Sequence, residues 1–379
     1  MRDIVILGST GSIGVQALEV IAANPTKFRV VGLSAGSNNL ERLIEQVKKF
    51  SVPIVGTTGD GLTLRQALPG VEVIDGPDSS RQIAALSCDV VLNGITGSIG
   101  LGPTLAALEV GNKVALANKE SLVAGGDLVM AHGRDRIIPV DSEHSALFQA
   151  MFAGKSNDVE KLILTASGGP FRQLSADLLG KVTPEQAVKH PNWSMGAKIS
   201  VDSASLMNKG LELIEAYHLF PVTVDQLDVI VHAQSVIHSM VEYQDGSVLA
   251  QLGSPDMRTP ISYCLAWPER MSAPVERLDL AKIAQLSFEE PDLVRFPCLR
   301  LAKDALAQGR GAPAILNAAN EIAVAAFLDK RIGFMDIPSV VQSVLAGYDA
   351  PVPATIADIL ALDSEARRRA AQQVEAVAA

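Results

Sequence analysis

Ile4-Val5-Ile6-Leu7-Gly8-Ser9-Thr10-Gly11-Ser12-Ile13-Gly14 opens the chain with an apolar run, a glycine-spaced turn and the first residues of a helical pattern. Consecutive aliphatic residues suit a strand buried on both faces. The glycines let the backbone turn tightly and pass close to a pyrophosphate at a helix N-terminus. The spacing is G-x-x-G-x-x-G, a variant of the dinucleotide fingerprint, whose bland alternative is a tight structural turn. The strand before it, the helix after it and its place at the head of an alternating domain favour dinucleotide binding.

Working outward from that turn, a helix is expected over 12–23, a strand over 29–34 and a helix over 40–49, followed by strands at 52–55, 71–74, 89–92, 114–117 and 137–140. This is the rhythm of a doubly wound parallel sheet, so residues 1–140 read as a Rossmann-like α/β domain. Strand-like runs at 161–165, 228–237, 239–243 and 247–252, with a helix over 203–217, read as a central α+β domain spanning 141–267. A stretch containing Pro274, Pro291 and Pro297, residues 268–297, reads as a linker, and the alanine-rich remainder, 298–379, as a helical bundle.

The 379 residues are 48% hydrophobic and 20% charged, a globular balance large enough for more than one core. Net charge is −10 and the isoelectric point near 5.2, which argues against nucleic acid or an anionic membrane as partner. Cys88, Cys264 and Cys298 form no C-x-x-C pair, so a reducing compartment fits best. The chain shows no leader pattern and no long apolar run, and a cytoplasmic location is expected.

At the end of the second strand stands Ala35-Gly36-Ser37-Asn38-Asn39, with no carboxylate to take a ribose 2′-hydroxyl, which favours NADPH over NADH. Asp141-Ser142-Glu143 follows the apolar run 137–140, and in an extended chain its two acids point to one side. Oxygen-only ligands suit Mg²⁺ or Mn²⁺, and the alternative is a helix N-terminus carrying acids. Glu212 is the third carboxylate such a site needs; on a helix it shares a face with Asn208 and Lys209. The stretch from His190 to Glu215 reads as a loop, a strand-like piece and that helix. Lys119 follows a strand and can meet cofactor or substrate, and the Ser167-Gly168-Gly169 turn can accept a phosphate. Trp193 and Met195 lie on a glycine- and proline-flanked loop that either packs down or closes over a ligand. His190 and His238 are acid–base candidates whose ordinary role would be structural.

Taken together, G-S-T-G-S-I-G at Gly8, A-L-A-N-K-E-S-L-V at Ala115, P-V-D-S-E-H at Pro139, S-G-G-P-F at Ser167, H-P-N-W-S-M-G at His190 and the run 198–215 resemble the 1-deoxy-D-xylulose 5-phosphate reductoisomerase family over nearly the whole chain. The resemblance implies conversion of a sugar phosphate, 1-deoxy-D-xylulose 5-phosphate, to 2-C-methyl-D-erythritol 4-phosphate with NADPH and Mg²⁺ or Mn²⁺, in a homodimer. It implies Asp141, Glu143 and Glu212 as metal ligands, Lys119, Glu143, His190, Trp193 and Glu212 as the catalytic set, and Ser142, Glu143, Ser167, His190, Ser203, Asn208, Lys209 and Glu212 as substrate contacts. For the cofactor it implies Thr10, Gly11, Ser12, Ile13, Gly36, Ser37, Asn38, Asn118, Glu120 and Gly196. Relatives often carry Lys or Arg where this chain has Ser37, a natural partner for the 2′-phosphate. The rival readings are another NADP-dependent dehydrogenase, separated by product analysis, and a non-catalytic dinucleotide sensor, which has no need of three acids.

Overall fold

The structure, a computed structural model, describes residues 1–193, 195–348 and 351–378; Ser194, within the loop singled out from sequence, lies outside them. The chain divides into two compact units. Met1–Ser121, Asp127–Ser145 and Asp256–Glu276 form the first, and Leu122–Gly126, Ala146–Pro255 and Arg277–Ala379 the second.

In the first unit, β1 (Arg2–Leu7), β2 (Phe28–Ala35), β3 (Ile54–Thr57), β4 (Glu72–Asp75), β5 (Val90–Asn93), β6 (Lys113–Leu116) and β7 (Ile137–Pro139) lie in the order β4-β3-β2-β1-β5-β6-β7. Every neighbouring pair is parallel. Order runs outward from β1 in both directions, so the topological switch point falls between β1 and β5, where open α/β sheets bind ligands. Ile4, Ile6, Leu33, Leu92 and Ala115 are fully buried in its core, as the unbroken apolar strands require.

Residues 256–276 were expected in the central domain and the linker, yet they belong to the first unit. Ile261, Cys264 and Leu265 of the helix Arg258–Ala266 enter the core of the parallel sheet. Arg2 Nη1 donates to the carbonyls of Leu265 at 3.0 Å and Trp267 at 2.7 Å, and Cys264 Sγ donates to Pro139 O at 2.9 Å. A parallel sheet needs cover on both faces, and this late helix supplies part of it.

The second unit carries β8 (Val159–Ala166), β9 (Leu227–Val231), β10 (Ile237–Tyr243) and β11 (Val248–Leu252) in the order β11-β10-β8-β9. β8 and β9 are parallel and the other pairs antiparallel, as an α+β reading allows. The run 228–237 is not one strand. It breaks after Val231, and Ser235, in the turn before Ile237 resumes a strand, takes φ 51.

The strand-like piece and single helix expected before Glu215 are instead two helices, Ala197–Ala204 and Met207–Leu219. An ion pair of Lys198 with Asp202, four residues on, supports the first. Between them Leu206 adopts φ 61, a left-handed conformation costing about 1–2 kcal/mol in a non-glycine residue, which burial of its side chain offsets. Within the proline-containing stretch, Glu289 exchanges backbone hydrogen bonds with Val231 at 2.8 and 2.9 Å, adding a bridge at the edge of β9. Helices Pro297–Gln308, Ala312–Leu328, Asp336–Ala346 and Ile356–Ala378 follow. Gly210 lets Met207–Leu219 approach the first of them so closely that a Cβ there would lie 2.4 Å from Ala302 Cβ. Among the described residues no helix is long and apolar enough to cross a membrane.

Two glycines test this packing. A Cβ on Gly14 would fall 2.4 Å from Ser9 Cα and 2.5 Å from Gly8 O, backbone atoms that cannot swing aside. Gly14→Ala should therefore cost about 1–3 kcal/mol in urea unfolding. Gly102→Ala, whose Cβ meets nothing within 4 Å, should be neutral or gain up to about 1 kcal/mol. Equal unfolding midpoints for the two variants would contradict the close approach at Gly14.

Candidate active site

Because all strands of the first unit are parallel, their carboxyl ends share one edge, and the loops leaving them carry Thr10, Ser37, Asn118, Lys119 and Asp141. Gly8, just past β1, has φ 74, and a Cβ there would lie 2.8 Å from Gly94 O past β5. Only glycine lets these two loops meet at the switch point. Gly11 precedes the helix Ser12–Ala22 and no side chain caps it, which leaves first-turn N–H groups for an anion. Thr10 and Ile13 are half-buried, and Gly11 and Ser12 exposed. The turn thus fits a pyrophosphate. Past β2, Gly36, Ser37 and Asn38 are exposed, and Ser37 Oγ donates to Asn38 Oδ1 at 3.2 Å.

Past β6, Asn118 and Glu120 are buried and joined. Asn118 Nδ2 donates to Ile95 O at 2.6 Å, Gly97 O at 2.9 Å and Glu120 Oε2 at 3.0 Å, while its Oδ1 accepts the Ser121 N–H at 3.0 Å. This amide ties the loop after β5 to the start of the helix Lys119–Met130. Lys119 Nζ stands 2.6 Å from Asp141 Oδ2, and both side chains are largely buried. Burial alone would raise the Asp141 carboxyl, but the charges of Lys119 and His144 hold it well below its ordinary value.

Asp141 and Glu143 are not on an extended chain as expected. β7 ends at Pro139 and a helix, Ser142–Ala150, begins at once, with the Ser145 N–H donating to Asp141 O at 2.8 Å. Asp141 stands just before the first turn and Glu143 within it, where Ser142 Oγ donates to Glu143 Oε2 at 2.5 Å. The donor set is all oxygen and anionic, which fits a hard divalent cation.

In the second unit, Gly168 and Gly169 take φ 80 and 68, and a Cβ on Gly169 would lie 2.7 Å from Ser203 O. The glycine turn after β8 therefore rests against the helix Ala197–Ala204, bringing the Ser167 turn to Ser203. Ser167 Oγ accepts the Gly169 N–H at 3.2 Å and lies 2.9 Å from His190 Nε2. His190 Nδ1 accepts the N–H groups of Asn192 at 3.2 Å and Trp193 at 3.0 Å, so the neutral ring carries its proton on Nε2 and donates it to Ser167. Burial pushes the His190 pKa down to about 4, which keeps it neutral at pH 7. With both bonds accepted, the Ser167 hydroxyl proton remains to be donated to a ligand oxygen.

The loop is fastened to the β9–β10 connection. Asn192 Nδ2 donates to Ala233 O at 2.7 Å and Ser235 Oγ at 2.9 Å, and the Trp193 ring lies 6.1 Å from that of buried His238. Met195 is half-buried, and exposed Gly196 leads into the helix Ala197–Ala204. In the next helix, Asn208 Nδ2 donates to Glu212 Oε1 at 2.5 Å and Lys209 pairs with Glu212 Oε2, both charged groups almost wholly buried.

Sequence reasoning missed Asp202. It is buried, pairs with Lys198 Nζ at 2.9 Å and accepts Asn320 Nδ2 at 2.8 Å, bracing the helix that carries Ser203. The spacing to Lys198 was readable, but Asn320 lies 118 residues away. Also missed was Gln46, whose Nε2 donates to Ser9 O at 2.8 Å and steadies the glycine turn.

Comparison with known proteins places this geometry. Residues 4–126 match the model of 1-deoxy-D-xylulose 5-phosphate reductoisomerase, residues 137–220 its C-terminal domain and residues 252–369 the DXP reductoisomerase C-terminal domain. A 1-deoxy-D-xylulose 5-phosphate reductoisomerase of Chlorobaculum tepidum is 50% identical, covering 99% of this chain and 100% of that protein. One of Laribacter hongkongensis is 53% identical, covering 97% and 98%. The Zymomonas mobilis structure of this name, in complex with NADPH, superposes with a TM-score of 0.93 at 47% identity, covering 99% of each chain. A structure of DOX-P reductoisomerase with NADPH, fosmidomycin and magnesium gives a TM-score of 0.93 at 40% identity, covering 99% and 98%. The chain belongs to the 1-deoxy-D-xylulose 5-phosphate reductoisomerase family.

Proposed function

We propose that this chain converts 1-deoxy-D-xylulose 5-phosphate to 2-C-methyl-D-erythritol 4-phosphate, by a skeletal rearrangement followed by NADPH-dependent reduction, in the non-mevalonate route to isoprenoids. The observation that carries this reading is full-length similarity to a reductoisomerase whose structure holds NADPH, fosmidomycin and magnesium together. The reading extends to a cytoplasmic homodimer that accepts manganese as well as magnesium. Residues 1–140 serve the cofactor and 141–255 the substrate and metal, 256–276 cover the first sheet, and 298–379 give helical support.

The rearrangement breaks one carbon–carbon bond and forms another, giving an aldehyde that a hydride and a proton then convert to an alcohol. A bound divalent cation supplies Lewis acidity toward the substrate's carbonyl and hydroxyl oxygens, and bound NADPH supplies the hydride. Asp141, Glu143 and Glu212 are its proposed ligands. Lys119 holds Asp141 ionised and adds positive charge beside the reacting oxygens, and Ser142 orients Glu143.

The substrate phosphate is assigned to Ser167, Ser203, Asn208 and Lys209. Ser167 donates its hydroxyl proton while His190 fixes the rotor, and Lys209 contributes charge. Such remote binding orients the reacting carbons. Trp193 is assigned to shielding the aldehyde from water. Thr10 to Ile13 take the pyrophosphate, Gly36 to Asn38 the adenosine end, and Asn118, Glu120 and Gly196 border the nicotinamide half.

Three outcomes are expected. Incubation with 1-deoxy-D-xylulose 5-phosphate, NADPH and Mg²⁺ yields a branched polyol phosphate, and EDTA abolishes it; NADPH oxidation that EDTA leaves untouched sinks the proposal. Glu212→Gln lowers kcat by about a hundredfold or more, several kcal/mol of transition-state stabilisation, with NADPH affinity unchanged. A wild-type rate in saturating Mg²⁺ removes Glu212 from the metal shell.

The third concerns His190. Its folded pKa, about 4, lies below the ordinary 6.5, so its contribution to stability is present above 6.5 and lost as pH falls toward 4. Nitrogen NMR of labelled histidine should show an Nε2–H tautomer persisting below pH 6. A ring titrating near 6.5, or protonated on Nδ1, contradicts the assignment.

A further inference from the structure

We infer that Arg42 is the residue by which this chain distinguishes NADPH from NADH, an inference that rests on the proposal that NADPH is its reductant. The end of β2 is where a Rossmann-like sheet reads the adenosine ribose, through an acid on the 2′-hydroxyl or a cation on the 2′-phosphate. Here the segment is Gly36-Ser37-Asn38-Asn39, exposed and uncharged. Neither device is in the loop itself, so the charge that recognises a 2′-phosphate has to come from a neighbouring element.

Arg42 is the first cation after β2 and sits in the opening turn of the helix Leu40–Phe50. Asn39 caps that turn, its Oδ1 accepting the Arg42 N–H at 3.3 Å, so the residue is tied directly to the loop. Its exposed guanidinium reaches back to the glycine turn, where Nη1 donates to Thr10 O at 3.4 Å. One turn along the same face, Gln46 Nε2 donates to buried Ser9 O at 2.8 Å, anchoring the helix on the turn. The guanidinium is thus held beside both loops that border the adenosine half of a dinucleotide.

That single carbonyl contact is long and uses one of five N–H donors, leaving a fork that matches a phosphate dianion. Among the described residues Arg42 makes no ion pair that would neutralise it. Gly59 brings the loop after β3 against Ser37, where a Cβ would lie 2.8 Å from Ser37 Cα. The neighbouring acid, Asp60, is engaged in capping, accepting from Leu62 N at 2.9 Å and Thr63 Oγ1 at 2.6 Å. Ser37 then serves as a hydrogen-bonding neighbour, and the charge it lacks is supplied by Arg42.

The test is equilibrium titration of the full chain with NADPH and with NADH, followed by nucleotide fluorescence, for wild type, Arg42→Gln and Arg42→Lys. Loss of a charge-assisted fork should raise the NADPH Kd by about ten- to a hundredfold in Arg42→Gln. The NADH Kd should stay within about twofold, because its ribose carries no phosphate. Arg42→Lys should fall between, retaining charge without the bidentate geometry. Equal weakening of both nucleotides overturns the inference, since it assigns Arg42 only to holding the Thr10 turn. An unchanged NADPH Kd in Arg42→Gln overturns it too. Wild-type binding without preference overturns the NADPH reading itself, whereas a wild-type preference that survives in Arg42→Gln overturns the Arg42 assignment alone.

Discussion

The meeting of the loops after β1 and β5 is the constraint on which the rest of the first unit depends. Gly8 must be glycine twice over, for its left-handed φ and because a Cβ would strike Gly94 O. Gly14 lets the first helix lie against Ser9. With these approaches made, β1 and β5 pair in register and the sheet order reverses between them. The same carboxyl edge then carries the Thr10 turn, the Ser37 loop, Asn118, Lys119 and Asp141. Residues far apart in sequence share an edge because every strand points the same way.

Buried acids in both units are matched by nearby cations. Lys119 accompanies Asp141, Lys198 accompanies Asp202, and Lys209 accompanies Glu212. An unpaired buried carboxylate is costly, and each pairing sets a cation against the buried acid; at Asp141 the charge of Lys119 helps hold the carboxyl below its ordinary value. The price in stability is set against function, since hydrophobic residues would pack such positions at least as well. These pairs place cations locally in a chain whose net charge is −10.

How much was legible beforehand varied with distance along the chain. The helix face shared by Asn208, Lys209 and Glu212 followed from spacing alone, and the structure joins all three by hydrogen bonds. The extended geometry assumed for Asp141 and Glu143 did not hold, because a helix starts at Ser142, immediately past the strand. The break at Leu206 was hidden as well. Nothing in a leucine announces a left-handed turn, and only the burial of its side chain makes the strain tolerable. The His190 tautomer is set by tertiary contacts, since its two nitrogens are distinguished by backbone N–H groups on one side and Ser167 on the other.

By itself the sequence determined the alternation of strands and helices, the glycine turn at the head of the first sheet, and the family through its motifs. These follow from local periodicity and from residue types whose chemistry acts over a few neighbours. Only the tertiary structure decided that residues 256–276 return to cover the first sheet, that Asn320 braces Asp202 and that Arg42 and Gln46 grip the glycine turn. Each of these is a non-local contact between elements, fixed by which buried faces and polar groups must find partners once the chain is compact.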